Sequence, residues 1–533
     1  MAGLAEYTEG ANPILKMDYP DPDVICVNDT FYMISTTMHY MPGAEILKSY
    51  DLINWEHAAF VYDRLDGTDA RRLTGDKHIY GKGMWAATLR YHEGLFYVIF
   101  VCNDTQKTYL YRSESIEGTW VKSTIDGFYH DCSPLFDDGK AYLVYGNTEI
   151  YLTELNADMS GPKEGGINRC ILKDAGNKIL GYEGSHIYKI DGRYYLFLIH
   201  SKPDRWRRVE ACFTADSLLG DFVGGDVFDD DLGFRNSGIA QGGIVEGPKG
   251  VWNAVLFQDR GAVGRIPVLV PLKYEDEADH TCRFSFGING KAPSDLRTIS
   301  LKPGYIYKPL VCSDDFKYDP VRMYAENRTD HGCFGFKSIW QFNHEPDLKL
   351  LECDQSKGVL WIKTDKTVRN IYHAKNILTQ RMIFPGCSAE VTIDGSMLND
   401  GDLAGLAAFQ GDYALVGLRK ENGRLHAVMS SYTNPYEDVW KLGDEEGITE
   451  ESTVLDDDRL IVRLTVDFGS RNADIDTAVC EVCIDGKFRK IGTEHKLRFR
   501  LDHFTGCRFG LFVMSGSKTG GKAGFSEFEY LKL

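Results

Sequence analysis

The chain has 533 residues, too many for one ordinary domain, so two or more are expected. Its formal net charge of −18 excludes the basic footprint that a nucleic-acid or anionic-membrane partner needs. No apolar run reaches the length of about 18 residues that a membrane-spanning helix requires.

Residues 1–11 read as a loose lead-in. They carry neither the basic region nor the apolar core of a secretory signal, so a complete gene product with this start is expected in the cytoplasm. Residues 12–300 repeat one pattern five times: a polar or bulky residue, a small apolar cluster, a turn, then an aromatic-rich strand. The leading and closing residues are Asp21 and Tyr32, Trp85 and Tyr97, Asp131 and Tyr142, Glu183 and Tyr195, and Gln241 and Trp252. The turns fall at Asn28-Asp29, Glu93-Gly94, Asp138-Gly139, Asp191-Gly192 and Lys249-Gly250. Repeats of this length, each with a hairpin and extra strands between, predict the blades of a five-bladed β-propeller. The longest excursion, residues 64–83, is polar and contains glycine, and reads as a surface loop near a site.

The pattern stops near residue 300, and 300–317 reads as a linker. Residues 318–533 show alternating strands separated by turns, among them 358–363, 388–393, 404–409, 413–418, 425–429, 460–466 and 509–514. An antiparallel β-sandwich, a jelly roll, is expected there. The thirteen cysteines are scattered, which fits a reducing compartment. Cys480 and Cys483 form a Cys-x-x-Cys within an alternating apolar stretch, with no second pair to complete a zinc site, and read as strand residues. The expected architecture is all-β, with a propeller over 12–305 and a sandwich over 318–533.

The innermost strand of a propeller blade lines the central channel. If the five leading residues face inward, Asp21, Trp85, Asp131, Glu183 and Gln241 ring one end of it. A tryptophan face can stack on a sugar while polar groups hold its hydroxyls. Glycosidic cleavage needs two carboxyl groups in opposite protonation states, and about 6.5–9.5 Å between them leaves room for an attacking water. A third carboxylate can keep the acid protonated by repulsion.

Several stretches carry a resemblance to one family. Asn12-Pro-Ile-Leu with Asp18-Tyr-Pro-Asp-Pro-Asp-Val24, Lys48-Ser-Tyr-Asp-Leu-Ile-Asn-Trp55, Trp85-Ala-Ala-Thr-Leu-Arg-Tyr91 and Glu183-Gly-Ser-His-Ile-Tyr-Lys189 resemble glycoside hydrolase family 43. Leu378-Thr-Gln-Arg381 and Gly405-Leu-Ala-Ala-Phe-Gln410 resemble the sandwich appended to its β-xylosidase and α-L-arabinofuranosidase members. The resemblance implies a five-bladed propeller and inversion of configuration. It implies Asp21 as general base, Glu183 as general acid and Asp131 as the residue that raises and orients the acid. Asp18, Asp23, Asp137 and Asp138 are rivals in sequence. The repeat register and the family motif both prefer Asp21 and Asp131. Trp85, Gln241, Arg265 and His39 are expected at the substrate, the last with Met38 and Tyr40 on the rim.

Many members carry a histidine, at or near a channel ion, where this chain has Gln241. Glutamine is a poorer metal ligand, so no cofactor is expected to be required and a channel Ca2+ is disfavoured. The resemblance therefore implies an inverting exo-glycosidase acting on arabinose- or xylose-containing oligosaccharides. Arabinofuranosidase activity is favoured and β-xylosidase, or both, is the near alternative. A non-catalytic sugar-binding propeller is the rival from another class, but it would not need three matched acids. Nothing in the sequence specifies an oligomeric state.

Overall fold

A computed structural model describes residues 7–174, 176–275, 282–326, 333–469 and 475–533. Five four-stranded antiparallel sheets follow one another over residues 23–286, each paired in chain order from the inside out. Their innermost strands are Asp23–Val27, Met84–His92, Ser133–Asp137, Glu183–Ile190 and Ile239–Glu246. Each begins at or within two residues of a leading residue of the repeat, so the five repeats are five propeller blades. The turns fall where the sequence places them, and Asn28, Glu93, Asp138, Asp191 and Lys249 all adopt the left-handed backbone of tight hairpins. Of the predicted lead-in, residues 1–6 lie outside the described residues. Tyr7–Ala11 forms a strand paired with Asp295–Ile299, which joins the two ends of the propeller.

One layer beyond the leading residues a buried charged knot spans blades 1 to 4. Asp23 accepts from Arg90 Nη1 at 2.6 Å and from Leu89 N, and it lies 3.2 Å from His186 Nδ1. Arg90 also donates to Ser133 Oγ. Burial alone would raise the Asp23 carboxyl, but Arg90 and His186 overcome it and hold the group below its usual value.

Residues 341–532 form two packed sheets, and every sandwich strand expected from the sequence is present. Cys480 and Cys483 lie on strand Asp476–Ile484, and neither is in a disulfide. One sandwich sheet does not end within its own domain. It continues through Gln341–Asn343 to the short strand Tyr40–Met41 of blade 1, with Phe342 opposite Met41 and Asn343 opposite Tyr40. A single hydrophobic core runs from Leu15, Met17 and Tyr19 into Leu378, Val391 and Phe509.

This junction corrects two expectations. Residues 64–83 are only in part a surface loop: Asp69, Arg72 and Thr74 to Lys77 are exposed, while Ile79 and Tyr80 are buried between the domains. Tyr80 donates to Tyr372 O at 2.7 Å, Ile79 N donates to His344 Nε2, and buried Arg71 pairs with Asp104. His39 is not at the substrate rim either. It is fully buried against Tyr40, Tyr80, His344 and His503. Burial, reinforced by the neighbouring His344 and His503, holds its pKa well below the usual imidazole range. His39 is thus a neutral ring of the interdomain core, and Tyr40 is equally buried.

Candidate active site

A cavity of about 210 Å3 opens at the channel mouth. Asp21, Trp85, Asp131, Glu183, Gln241 and Arg265 all line it, so six of the seven site residues expected from the sequence come together and His39 does not. The backbone explains how. Asp21 (φ 51°), Asp131 (φ 46°) and Gln241 (φ 58°) are left-handed, while in blade 4 the left-handed residue is Gly184 (φ 65°), one after Glu183. Blades 2, 4 and 5 also carry a register shift at this point, between Met84 and Ala87, Glu183 and His186, and Ala240 and Gly242. Such a kink re-aims a side chain out of the strand's alternation and into the channel.

Asp21 is buried, with both oxygens engaged: Oδ1 accepts from Arg265 Nη1 at 2.8 Å and Oδ2 from Thr36 Oγ1 at 2.7 Å. The rival acids are spent elsewhere. Asp23 belongs to the channel knot, and Asp137 binds Lys189 and Tyr194. Asp138 is a hairpin-turn residue. Asp18 staples the domains, accepting from Arg265 N and, across the junction, from Gly506 N. Gly506 must be glycine there, since a Cβ would meet Val263 O at 2.1 Å.

In the same cavity, one side-chain heteroatom each of His130, Asp131 and Glu183 lie within 4.8 Å of one another. Burial, with the charges of Glu183 and Asp21, pushes the Asp131 carboxyl up to about 7. Burial works against a charged His130, yet Asp131 and Glu183 outweigh it and raise the imidazole to about 9. This corner therefore holds protons near neutrality, unlike an ordinary pair of surface carboxylates.

The sandwich supplies the roof. Phe504 lies 4.4 Å from the Arg265 guanidinium and edge-on to both Trp85 and Trp440. Arg500 holds the Trp440 loop through the carbonyls of Tyr436 and Asp438. Trp206 and Trp440, each about half exposed, stand at the opening. Sequence reasoning missed His130, Asn147, Trp206, Trp440 and Phe504. His130 was readable from its place beside Asp131. Phe504 was not, because it meets Arg265 across 239 residues of sequence.

Calcium needs six to eight oxygen ligands. The Gln241 carboxamide lies over Gly184, and the buried Glu210 carboxylate is spent on Gln241 N–H at 2.7 Å. This donor set does not suit calcium at Gln241.

Comparison with known proteins agrees with this architecture. Residues 10–278 match the model of glycosyl hydrolases family 43, and residues 336–531 match the β-xylosidase C-terminal concanavalin A-like domain. The chain is 26% identical to a β-xylosidase of Formosa agariphila, over 97% of this chain and 90% of that one. It is 33% identical to a xylosidase/arabinosidase of Butyrivibrio fibrisolvens, over 35% of this chain and 37% of that one. A solved structure of a bifunctional GH43-CE protein of Bacteroides eggerthii superposes with a TM-score of 0.86 at 36% identity. That match covers 99% of this chain, which spans 64% of the Bacteroides protein. With a family model matched across half its length and a second across the sandwich, the chain belongs to glycosyl hydrolase family 43.

Proposed function

We propose that the chain is an inverting exo-glycosidase that removes single pentosyl units, β-xylosyl in first place, from the ends of short hemicellulose-derived oligosaccharides. The observation that carries this reading is the small cavity lined by both Asp21 and the His130–Asp131–Glu183 cluster. Its volume falls below the roughly 300–1,000 Å3 of sites for larger ligands and suits one sugar ring. Phe504, Leu501 and Trp440 roof it, which favours a chain end over a threaded polymer. Trp85 Nε1 and Arg265 Nε are buried donors with no acceptor among the described residues, and sugar hydroxyls would supply one.

In this reading Asp21 takes a proton from a water whose oxygen attacks the anomeric carbon. The C–O bond to the leaving sugar breaks, its electron pair stays on the departing oxygen, and Glu183 protonates that oxygen. Asp131 stands beside Glu183 and His130 in the acid corner. Side chains carry both proton transfers, so no cofactor is invoked.

The preference for xylose rests on the name of the relative that aligns along nearly the whole chain. α-L-Arabinofuranose is the second reading, supported by the name of the relative sharing 33% identity. A panel of aryl β-D-xylopyranoside, aryl α-L-arabinofuranoside and polymeric xylan tests this. Release of nitrophenol from the first at the highest kcat/KM is expected, without loss of xylan viscosity. Preference for the arabinoside reverses the ranking of the two sugars, and a rapid viscosity drop refutes exo action.

A further inference from the structure

Two residues beside Glu183 have no role in the scheme so far. Asn147 Nδ2 lies 2.5 Å from Glu183 Oε2, and His130 Nε2 lies 3.5 Å from the same oxygen. Both come from blade 3. Asn147 ends the strand Lys140–Asn147, and His130 O accepts from Gly146 N beside it. The orientation of the Asn147 amide is set independently. Thr148 Oγ1 donates to Asn147 Oδ1 at 3.0 Å, which leaves Nδ2 facing Glu183. Thr148 N in turn donates to Tyr182 O, so the amide is pinned to the segment that carries Glu183. The His130 ring is held edge-on to Trp85.

A protonated carboxyl has one hydroxyl oxygen and one carbonyl oxygen, and an N–H donor favours the carbonyl oxygen. With Asn147 hydrogen-bonded to Oε2 and His130 Nε2 between that oxygen and Asp131 Oδ2 at 3.6 Å, the proton of Glu183 belongs on Oε1. A general acid works only when its proton points at the departing oxygen, so this choice of oxygen bears directly on rate.

We propose that Asn147 and His130 are positioning residues that hold Glu183 Oε2 as the acceptor oxygen and so leave Oε1 to deliver the proton to the leaving group. The inference rests on the reading of Glu183 as general acid. Asn147 is exposed, so its truncation should leave the fold intact.

The test is the dependence of kcat/KM on leaving-group pKa, from dinitrophenyl through nitrophenyl pentosides to the disaccharide. It is measured on the full chain and on Asn147→Ala, His130→Gln and Glu183→Ala. Weakened acid catalysis harms poor leaving groups most. The ratio of dinitrophenyl to disaccharide rates is expected to rise about tenfold in Asn147→Ala and His130→Gln, and further in Glu183→Ala. If Glu183→Ala steepens the dependence while neither of the other variants does, the positioning inference is overturned and the acid assignment stands. If Glu183→Ala leaves the dependence unchanged, the acid assignment itself fails and the inference falls with it.

Discussion

Asp21→Asn is expected to lower kcat/KM by about 10³-fold on every substrate, while Glu183→Ala spares dinitrophenyl glycosides and cripples the disaccharide. The two carboxyls act at opposite ends of the broken bond. Asp21 serves the attacking water, which every substrate needs. Glu183 serves the leaving oxygen, which a good leaving group can do without. Asparagine is the informative replacement at Asp21 because its amide can keep both existing contacts. Its oxygen can accept from Arg265 Nη1 and its NH2 can donate to Thr36 Oγ1, where Asp21 now meets both residues. Alanine would leave Arg265 buried without its partner, a change that costs about 3–5 kcal/mol of stability and confuses unfolding with lost chemistry. Steady-state kinetics beside thermal melts separate the two effects. An Asp21→Asn enzyme with a tenth of normal activity or more would remove Asp21 from the base role.

Asp131→Asn is expected to make the protein more stable at pH 8 and about 10²-fold slower. Burial, with Glu183 and Asp21, raises the folded carboxyl from 3.8 to about 7. A raised folded pKa means that the native state binds more protons than the unfolded chain between those values. The stability it confers is complete below pH 3.8 and is lost as the pH rises through about 7. Above that, an ionised Asp131 opposes folding by on the order of 4 kcal/mol, with the compensating charge of His130 already counted. His130, raised to about 9, adds stability that is present below 6.5 and lost as the pH climbs through 9. Asparagine removes the Asp131 cost and also one of the three groups that make up the acid corner. Tm is therefore expected to exceed wild type at pH 8, with the difference narrowing towards pH 4. A variant less stable than wild type at pH 8 would contradict this balance.

The acids of the site were legible because they sit at a repeated place in a repeated unit. The spacing of 11 or 12 residues between leading residue and closing aromatic already held the backbone detail. In blades 1, 3 and 5 the leading residue is itself left-handed, and in blade 4 the extra residue is Gly184, which takes that conformation so that Glu183 can precede it. The interdomain contacts were not legible. Their residues, His39, Tyr80, His344 and Phe504, meet across long stretches of chain and follow no strand period. His39 shows the consequence. Beside a cavity-lining Met38 it reads as a rim residue, and only the pairing of Tyr40–Met41 with the sandwich reveals that it faces the core. The roof over the cavity was hidden for the same reason, although each sandwich strand that carries it was readable from its own alternation.

The most direct test of the mechanism is the anomeric configuration of the first product, followed by proton NMR during the first minutes of aryl β-D-xylopyranoside hydrolysis. Cleavage by Asp21-activated water with Glu183 as acid is expected to release α-xylose first, with the β anomer growing in by mutarotation. Initial release of β-xylose would mean a retained configuration and would contradict the assignment of Asp21 and Glu183 to a single-step displacement.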